Sequence, residues 1–179
     1  GNLENLADVE LLERPHDTRK RYTFIHGDIC DSGLVKEIIE RHSIGLIIHF
    51  AAETHVDRSL KDPDSFMRTN VEGTRSLLEA ARATHRAPRV VHISTDEVYG
   101  NVSNGFSAED APLRPSNPYA LSKSIADTLA QSYATSHNMH VSIIRGSNAY
   151  GFAQHPEKLV PLTITNLIED IPIPLHGDG

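Results

Sequence analysis

The chain has 179 residues, with 17 basic against 24 acidic side chains and a net charge of -7; no basic run is present to track a phosphate backbone, which argues against nucleic acid as a partner. Its length suits one domain with a real core, and Cys30, the only cysteine, excludes an intrachain disulfide and fits a reducing, cytoplasmic setting. No apolar stretch reaches membrane-spanning length, and the N-terminal residues carry neither the basic start nor the apolar core of a secretory leader. The chain does not open on methionine, so it is expected to be a piece of something longer or a processed product.

Taken in order, residues 1–21 are polar and charge-rich, as in a short peripheral helix or a surface connection. Tyr22 to His26 is a strand candidate that runs into Gly27-Asp28, and Asp31-Ser32-Gly33 then opens a helical pattern with Leu34, Val35, Ile38 and Ile39. Ile44 to Phe50 reads as a strand covered on both faces, since Leu46, Ile47 and Ile48 are continuous rather than alternating. The small residues Ala51 and Ala52 follow; they suit either close approach of a ligand to the backbone or tight packing under a helix. Pro63 to His85 reads as a long helix with proline in its first turn.

Arg89 to Ser94 is a short β-branched run ending in Thr95, Asp96 and Glu97. A hydroxyl and two adjacent carboxyls at the carboxyl end of a parallel strand can donate, accept and abstract protons; the plain alternative is a polar exit from the strand. A Gly, Asn, Ser and Pro-rich loop follows over 100–118, then a helix from Tyr119 to His137 capped by Asn117 or Ser116, then a strand at His140 to Arg145. Strands alternating with helices argue an α/β domain with a parallel sheet and right-handed crossovers. Beyond Arg145 the pattern loosens, apart from a helical stretch from Leu159 to about Asp170, and reads as the start of a smaller substrate-side portion.

Tyr119 and Lys123 stand at i and i+4 of one helix and share a face. An ammonium held near a phenol favours the phenolate, giving a base for a hydroxyl proton at neutral pH. Such a pair also arises by chance on many helices, so its placement after the Thr-Asp-Glu strand end and the long loop is what gives it weight. The eleven histidines make no HExxH, and one cysteine cannot build a thiolate-rich zinc site, so no metal is expected.

The segments Gly27 to Asp31, His49 to Ser59, Thr69 to Thr74, Ser94 to Gly100, Tyr119 to Lys123 and Pro156 to Leu159 together resemble the extended short-chain dehydrogenase/reductases, most closely their dTDP-glucose 4,6-dehydratase branch. The resemblance covers nearly the whole chain. It implies a doubly wound, Rossmann-like sheet, incomplete at the N-terminus, with a partial NAD-binding domain over 1–145 and the start of a substrate-binding portion over 146–179. The resemblance implies that Tyr119, supported by Lys123 and Thr95, takes the C4 hydroxyl proton of a nucleoside diphosphate hexose while hydride passes to NAD. Glu97 then removes the C5 proton and Asp96 protonates the departing C6 hydroxyl. Asp28 and Ile29 are expected at the adenine end of NAD, Ala51, Ala52 and Thr54 at its middle, with Thr69, Tyr119 and Lys123 also lining its site. Asn148, Glu157, Lys158 and Leu159 are expected to face the nucleotide sugar.

The adjacent Asp96-Glu97 pair is the feature that separates this branch from relatives that epimerise or decarboxylate UDP-sugars, which are the alternative reading together with a non-catalytic binding module. No GxGxxG or GxxGxxG occurs, so the chain resembles an internal stretch of its family and is expected to be inactive alone. Ala149, Phe152-Ala153, His155 and His176 depart from the family pattern and bear on nucleotide and sugar preference. The resemblance also implies a cytoplasmic homodimer formed through the helices at 63–85 and 119–137, with no nucleic-acid or membrane partner.

Overall fold

The computed structural model describes residues 3–11, 22–102 and 104–174. In chain order the elements are a 3-10 turn (Leu3–Leu6), α1 (Ala7–Leu11), α2 (Ser32–Arg41), β1 (Leu46–His49), α3 (Val56–Lys61), α4 (Pro63–Phe66) continuing through a wide π turn (Met67–Glu72) into α5 (Gly73–Arg82), β2 (Arg89–Ile93), a 3-10 turn (Asp96–Tyr99), α6 (Pro118–His137), β3 (Val141–Ile144) and α7 (Leu159–Ile168). Two compact units result, His26–Ser147 and, separately, Gly1–Ile25 with Asn148–Gly179.

Local chemistry accounts for the boundaries in the larger unit. The Asp31 carboxylate accepts from Leu34 N at 3.0 Å and starts α2. The Asn117 amide oxygen accepts from Ala120 N at 2.8 Å and starts α6, with Pro118 in the first turn where its missing N–H is harmless. Asn138, at φ 52, ends α6 in the left-handed conformation that asparagine tolerates.

The three strands form one parallel sheet in the order β1-β2-β3. Register places Ile47, Val90 and Val141 in one row and His49, His92 and Ile143 in the next. Against these rows pack Ile39 of α2, Leu77, Leu78 and Ala81 of α5, and Ala130 and Tyr133 of α6. The layered α/β architecture is the one expected, Rossmann-like in its parallel strands and intervening helices.

Three details depart from the sequence reading. The strand predicted over Tyr22 to His26 is not found: these residues have no regular secondary structure, and the sheet among the described residues consists of β1, β2 and β3. Coverage of β1 on both faces is not found either, since Leu46 and Ile48 stay 51% and 53% exposed while His49 is buried. Among the described residues the helices cover one face only, which a continuous apolar run does not reveal. The predicted long helix over 63–85 exists, but ends at Arg82 and carries the π turn, and α3 precedes it unforeseen.

In the smaller unit, the 3-10 turn and α1 bear out the peripheral helix expected near the N-terminus, while residues 12–21 lie outside the described set. None of the residues of α7 is buried. Among the described residues no helix is long and apolar enough to cross a membrane.

A polar seam runs through the larger unit's core. Thr74 donates its hydroxyl to Asn70 O at 2.6 Å, so His49 Nε2, 3.0 Å from the same hydroxyl oxygen, must be the donor to it. The His92 ring lies 5.4 Å from that of His49, and its Nε2 is 3.7 Å from Asp127 Oδ1. Burial, aided by the nearby Lys123 charge, pushes His49 down to about 4; burial, Lys123 and His49 push His92 down to about 3. Neutral His92 forms no ion pair, and the partner of fully buried Asp127 is Arg145, whose Nε donates to Oδ2 at 2.7 Å. Arg145 Nη1 also donates to Tyr99 Oη at 2.8 Å and Glu109 O at 2.7 Å.

Two expected outcomes follow from this seam. Both histidines bind protons more weakly folded than unfolded, so their stabilising contribution is complete above the ordinary value of 6.5 and is lost as pH falls through about 4 and 3. Urea titrations are expected to show a midpoint that declines continuously below 6.5; a flat profile down to the folded values would contradict neutral burial. Asp127→Ala, which strands a largely buried guanidinium, is expected to lower the unfolding free energy by roughly 3–5 kcal/mol. A loss under about 1 kcal/mol, the scale of a surface pair, would show that the ion pair does not brace the fold.

Candidate active site at the carboxyl edge of the sheet

β2 leaves the sheet still bonded to the end of β3. Ser94 N donates to Ile144 O at 2.8 Å and Asp96 N to Gly146 O at 3.1 Å, so the strand exit stays tied to the end of β3. Thr95 caps the following 3-10 turn, its Oγ1 accepting from Glu97 N at 3.3 Å and lying 3.3 Å from Asp96 Oδ1. Val98 is fully buried and plugs the turn into the core. Gly100 closes it at φ 77, and a Cβ there would lie 2.1 Å from Arg114 O, so only glycine fits. The result is a rigid mount for two neighbouring carboxylates, with Asp96 exposed and Glu97 partly buried.

Tyr119 and Lys123 face the same edge from α6 and are both buried. Tyr119 N donates to Ser59 Oγ at 3.2 Å, and the phenol ring meets Phe66 edge-on with centroids 6.3 Å apart. Lys123 Nζ donates to Ile93 O, the last carbonyl of β2, at 2.7 Å. Burial drops Lys123 to about 8, opposed by the Asp127 charge one helical turn on, so it is still mainly an ammonium at neutral pH.

The phenol behaves otherwise than the Tyr–Lys spacing predicts. Burial pushes Tyr119 above its ordinary value, the Glu97 and Asp96 charges push the same way, and the hydrogen bond with Thr95 pulls down. Desolvation and two carboxylates therefore outweigh the Thr95 hydrogen bond, and the Lys123 ammonium is engaged with the Ile93 carbonyl.

Two buried side chains escaped the sequence reading. Asn70, in the π turn, accepts from Glu53 N at 2.8 Å and donates to Glu53 O at 3.0 Å and Ser122 Oγ at 2.8 Å. Ser122 donates in turn to Tyr119 O at 2.7 Å. The segment after β1 is thereby tied to the turn of α6 that carries Tyr119. Only the irregular helical turn could have signalled this, since such turns often mark functional sites.

The residues expected at a cofactor lie in the same unit. Exposed Asp28 accepts from Cys30 N at 2.9 Å and from Arg68 Nη2 at 2.6 Å, and these bonds hold its carboxyl below the usual range. Ile29 lies against Gly73, where an added Cβ would be 2.5 Å from its Cδ1. Ala51 and Ala52 follow β1, with Thr54 close behind, and Thr69 is in the π turn. Asn148, Glu157, Lys158 and Leu159 belong to the other unit: Asn148 is exposed, Lys158 caps α7 without a side-chain bond to it, and Leu159 is its first residue. Among the described residues no group of three or more His, Cys, Asp or Glu is arranged to hold a metal ion.

Known proteins share this arrangement over the whole chain. The dTDP-glucose 4,6-dehydratase of Actinoplanes is 45% identical over 179 residues, covering 100% of this chain and 53% of the relative. A crystal structure of dTDP-glucose 4,6-dehydratase from Streptomyces venezuelae with NAD bound matches with a TM-score of 0.89 and 46% identity, covering 100% of this chain and 52% of that one. The UDP-glucuronic acid 4-epimerase of Bacillus cereus, solved with UDP-glucuronic acid and NAD, matches at a TM-score of 0.85 but 30% identity, over 99% of this chain and 53% of that one. The chain spans about half the length of the relatives it matches. The family model described as GDP-mannose 4,6 dehydratase matches residues 1–176, and the chain belongs to that family.

Proposed function

We propose that the full-length protein is an NAD-dependent dTDP-glucose 4,6-dehydratase, a lyase acting on dTDP-glucose or a related nucleoside diphosphate hexose, and that this chain carries its acid–base centre. The observation that carries the reading is the convergence of Thr95, Asp96 and Glu97 on the Tyr119 phenol at the carboxyl edge of a parallel sheet. The dehydratase relatives support it, and the adjacent Asp96-Glu97 pair favours dehydration over the epimerase reading.

The chain's own residues suit part of a dinucleotide site. Ala51 and Ala52 present nothing beyond Cβ after β1, and Asp28 offers an exposed, already oriented carboxylate. Asp28 and Ile29 would hold the adenine end, Ala51, Ala52, Thr54 and Thr69 the middle, and Tyr119 and Lys123 the reactive end. NAD held there would supply the hydride acceptor for oxidation at C4 and, once reduced, the hydride donor for C6.

Tyr119 accepts the C4 hydroxyl proton as a phenolate, which the Thr95 hydrogen bond favours, while Lys123, held by Ile93 O, lines the same edge. The resulting ketone acidifies C5. Glu97 removes the C5 proton while Asp96 gives its proton to the departing C6 hydroxyl, and water leaves. Glu97 then returns a proton to C5, completing a 4-keto-6-deoxy sugar. Asn148, Glu157, Lys158 and Leu159 contact the nucleotide sugar, residues 146–179 beginning the substrate-binding portion that follows the NAD-binding part over 1–145. The protein works in the cytoplasm as a homodimer through the helices at 63–85 and 119–137.

Full-length protein given dTDP-glucose is expected to yield the 4-keto-6-deoxy product with no net consumption of NAD, whereas a C4 epimer as sole product would establish the alternative. Tyr119→Phe is expected to lower turnover by about 10²- to 10⁴-fold while substrate binding changes little; unchanged turnover removes Tyr119 from the chemistry. The 179 residues alone are expected to bind NAD weakly and turn over nothing.

A further inference from the structure

Asn117 makes two contacts with its one amide. Its Oδ1 accepts from Ala120 N at 2.8 Å, and its Nδ2 donates to Glu97 Oε2 at 3.1 Å. The first contact dictates the second. A helix-capping asparagine must turn its oxygen to the backbone N–H, so its NH2 group points the opposite way and requires an acceptor. That acceptor is a carboxylate reached from the end of β2, 20 residues away in sequence.

We propose that Asn117 is a positioning residue for Glu97, coupling the aim of that carboxylate to the start of the helix that carries Tyr119. Glutamate has three side-chain torsions and would otherwise sample several rotamers. Here one oxygen is held by an amide that is itself fixed by the cap, two residues before Tyr119 along α6. Asp96 receives no such amide; its contact is the Thr95 hydroxyl at 3.3 Å. The two carboxylates are thus distinguished by their partners: Glu97 is indexed to the helix bearing the phenol, and Asp96 to its own strand exit. The inference deepens the reading of Glu97 as the C5 base and rests on it for its catalytic consequence.

Ser and Asp cap a helix about as well as Asn, so Asn117→Ser and Asn117→Asp keep the cap and remove only the amide donor. In the full-length enzyme both are expected to slow C5 exchange with deuterated water and water elimination by about ten- to a hundredfold, the range carried by a hydrogen bond to a charged group. The Asp variant should be the slower of the two because it faces Glu97 with a like charge. KM and C4 oxidation should change less than about twofold, so reduced nicotinamide accumulates in the absorbance during turnover. Three-bond couplings of the Glu97 side chain should report one rotamer in the unmodified protein and several in Asn117→Ser. Unaltered exchange and couplings in both variants would overturn the proposal, as would equal losses in oxidation and elimination accompanied by a lower melting temperature. If the unmodified enzyme makes no 4-keto-6-deoxy product, the functional reading fails by itself, and the couplings still decide whether Asn117 holds Glu97.

Discussion

Asp127 has no access to solvent, and a carboxylate in that position is tolerable only with a cation beside it. Arg145 meets the requirement from the end of β3, at a distance of 2.7 Å. Having been drawn inward, the guanidinium turns its Nη1 donors to Tyr99 Oη and to the backbone of the loop at Glu109, and lies 5.1 Å from the Tyr99 ring centroid. One buried charge thereby fastens together α6, the sheet and the segment that bears Asp96 and Glu97. An ion pair of this kind adds little net stability compared with an apolar substitute of the same shape, whereas removing one partner alone is costly.

The same logic recurs on the other flank of the site. The π turn rotates Asn70 inward, where its amide satisfies both the N–H and the C=O of Glu53 and reaches Ser122. Ser59, Ser122 and Thr74, all fully or nearly fully buried, then accept hydrogen bonds from other elements, Ser59 from Tyr119 N, Ser122 from Asn70 and Thr74 from His49, where apolar residues would only fill space. The edge carrying the candidate site is held by a polar lattice, and the hydrophobic core lies beneath it.

What could be read from the sequence was whatever a single segment defines. The strand ending in Thr95-Asp96-Glu97, the Asn117 cap, the Tyr119–Lys123 face and the β/α alternation all depend on residues within a few positions of one another. The structure also contains what those segments do to each other, and there the sequence was silent. Nothing in 63–82 announces a π turn, nothing in the Tyr–Lys spacing says that burial and two carboxylates push the phenol upward, and nothing local marks Asp127 as the buried partner of Arg145. The strand expected at 22–26 illustrates the same limit, since β structure is a property of pairs and its propensity lies in one partner only. The reach of Asn117 to Glu97 and of Arg145 to Asp127 is a matter of tertiary geometry that periodicity does not encode.

The uncovered face of the sheet bears on how the chain behaves as a material. Leu46 and Ile48 of β1 and Ile144 of β3 stand about half exposed, and Phe50 follows at 70%. Exposed aliphatic side chains on a sheet face uncovered among the described residues make a sticky surface, the kind that takes up hydrophobic dyes, drags on apolar chromatography media and seeds clumping when solutions are concentrated. The net charge of -7 works against this through mutual repulsion, and salt screens that repulsion. Colloidal behaviour of the isolated chain should therefore be governed by ionic strength: clear solutions in dilute buffer, turbidity as salt is raised.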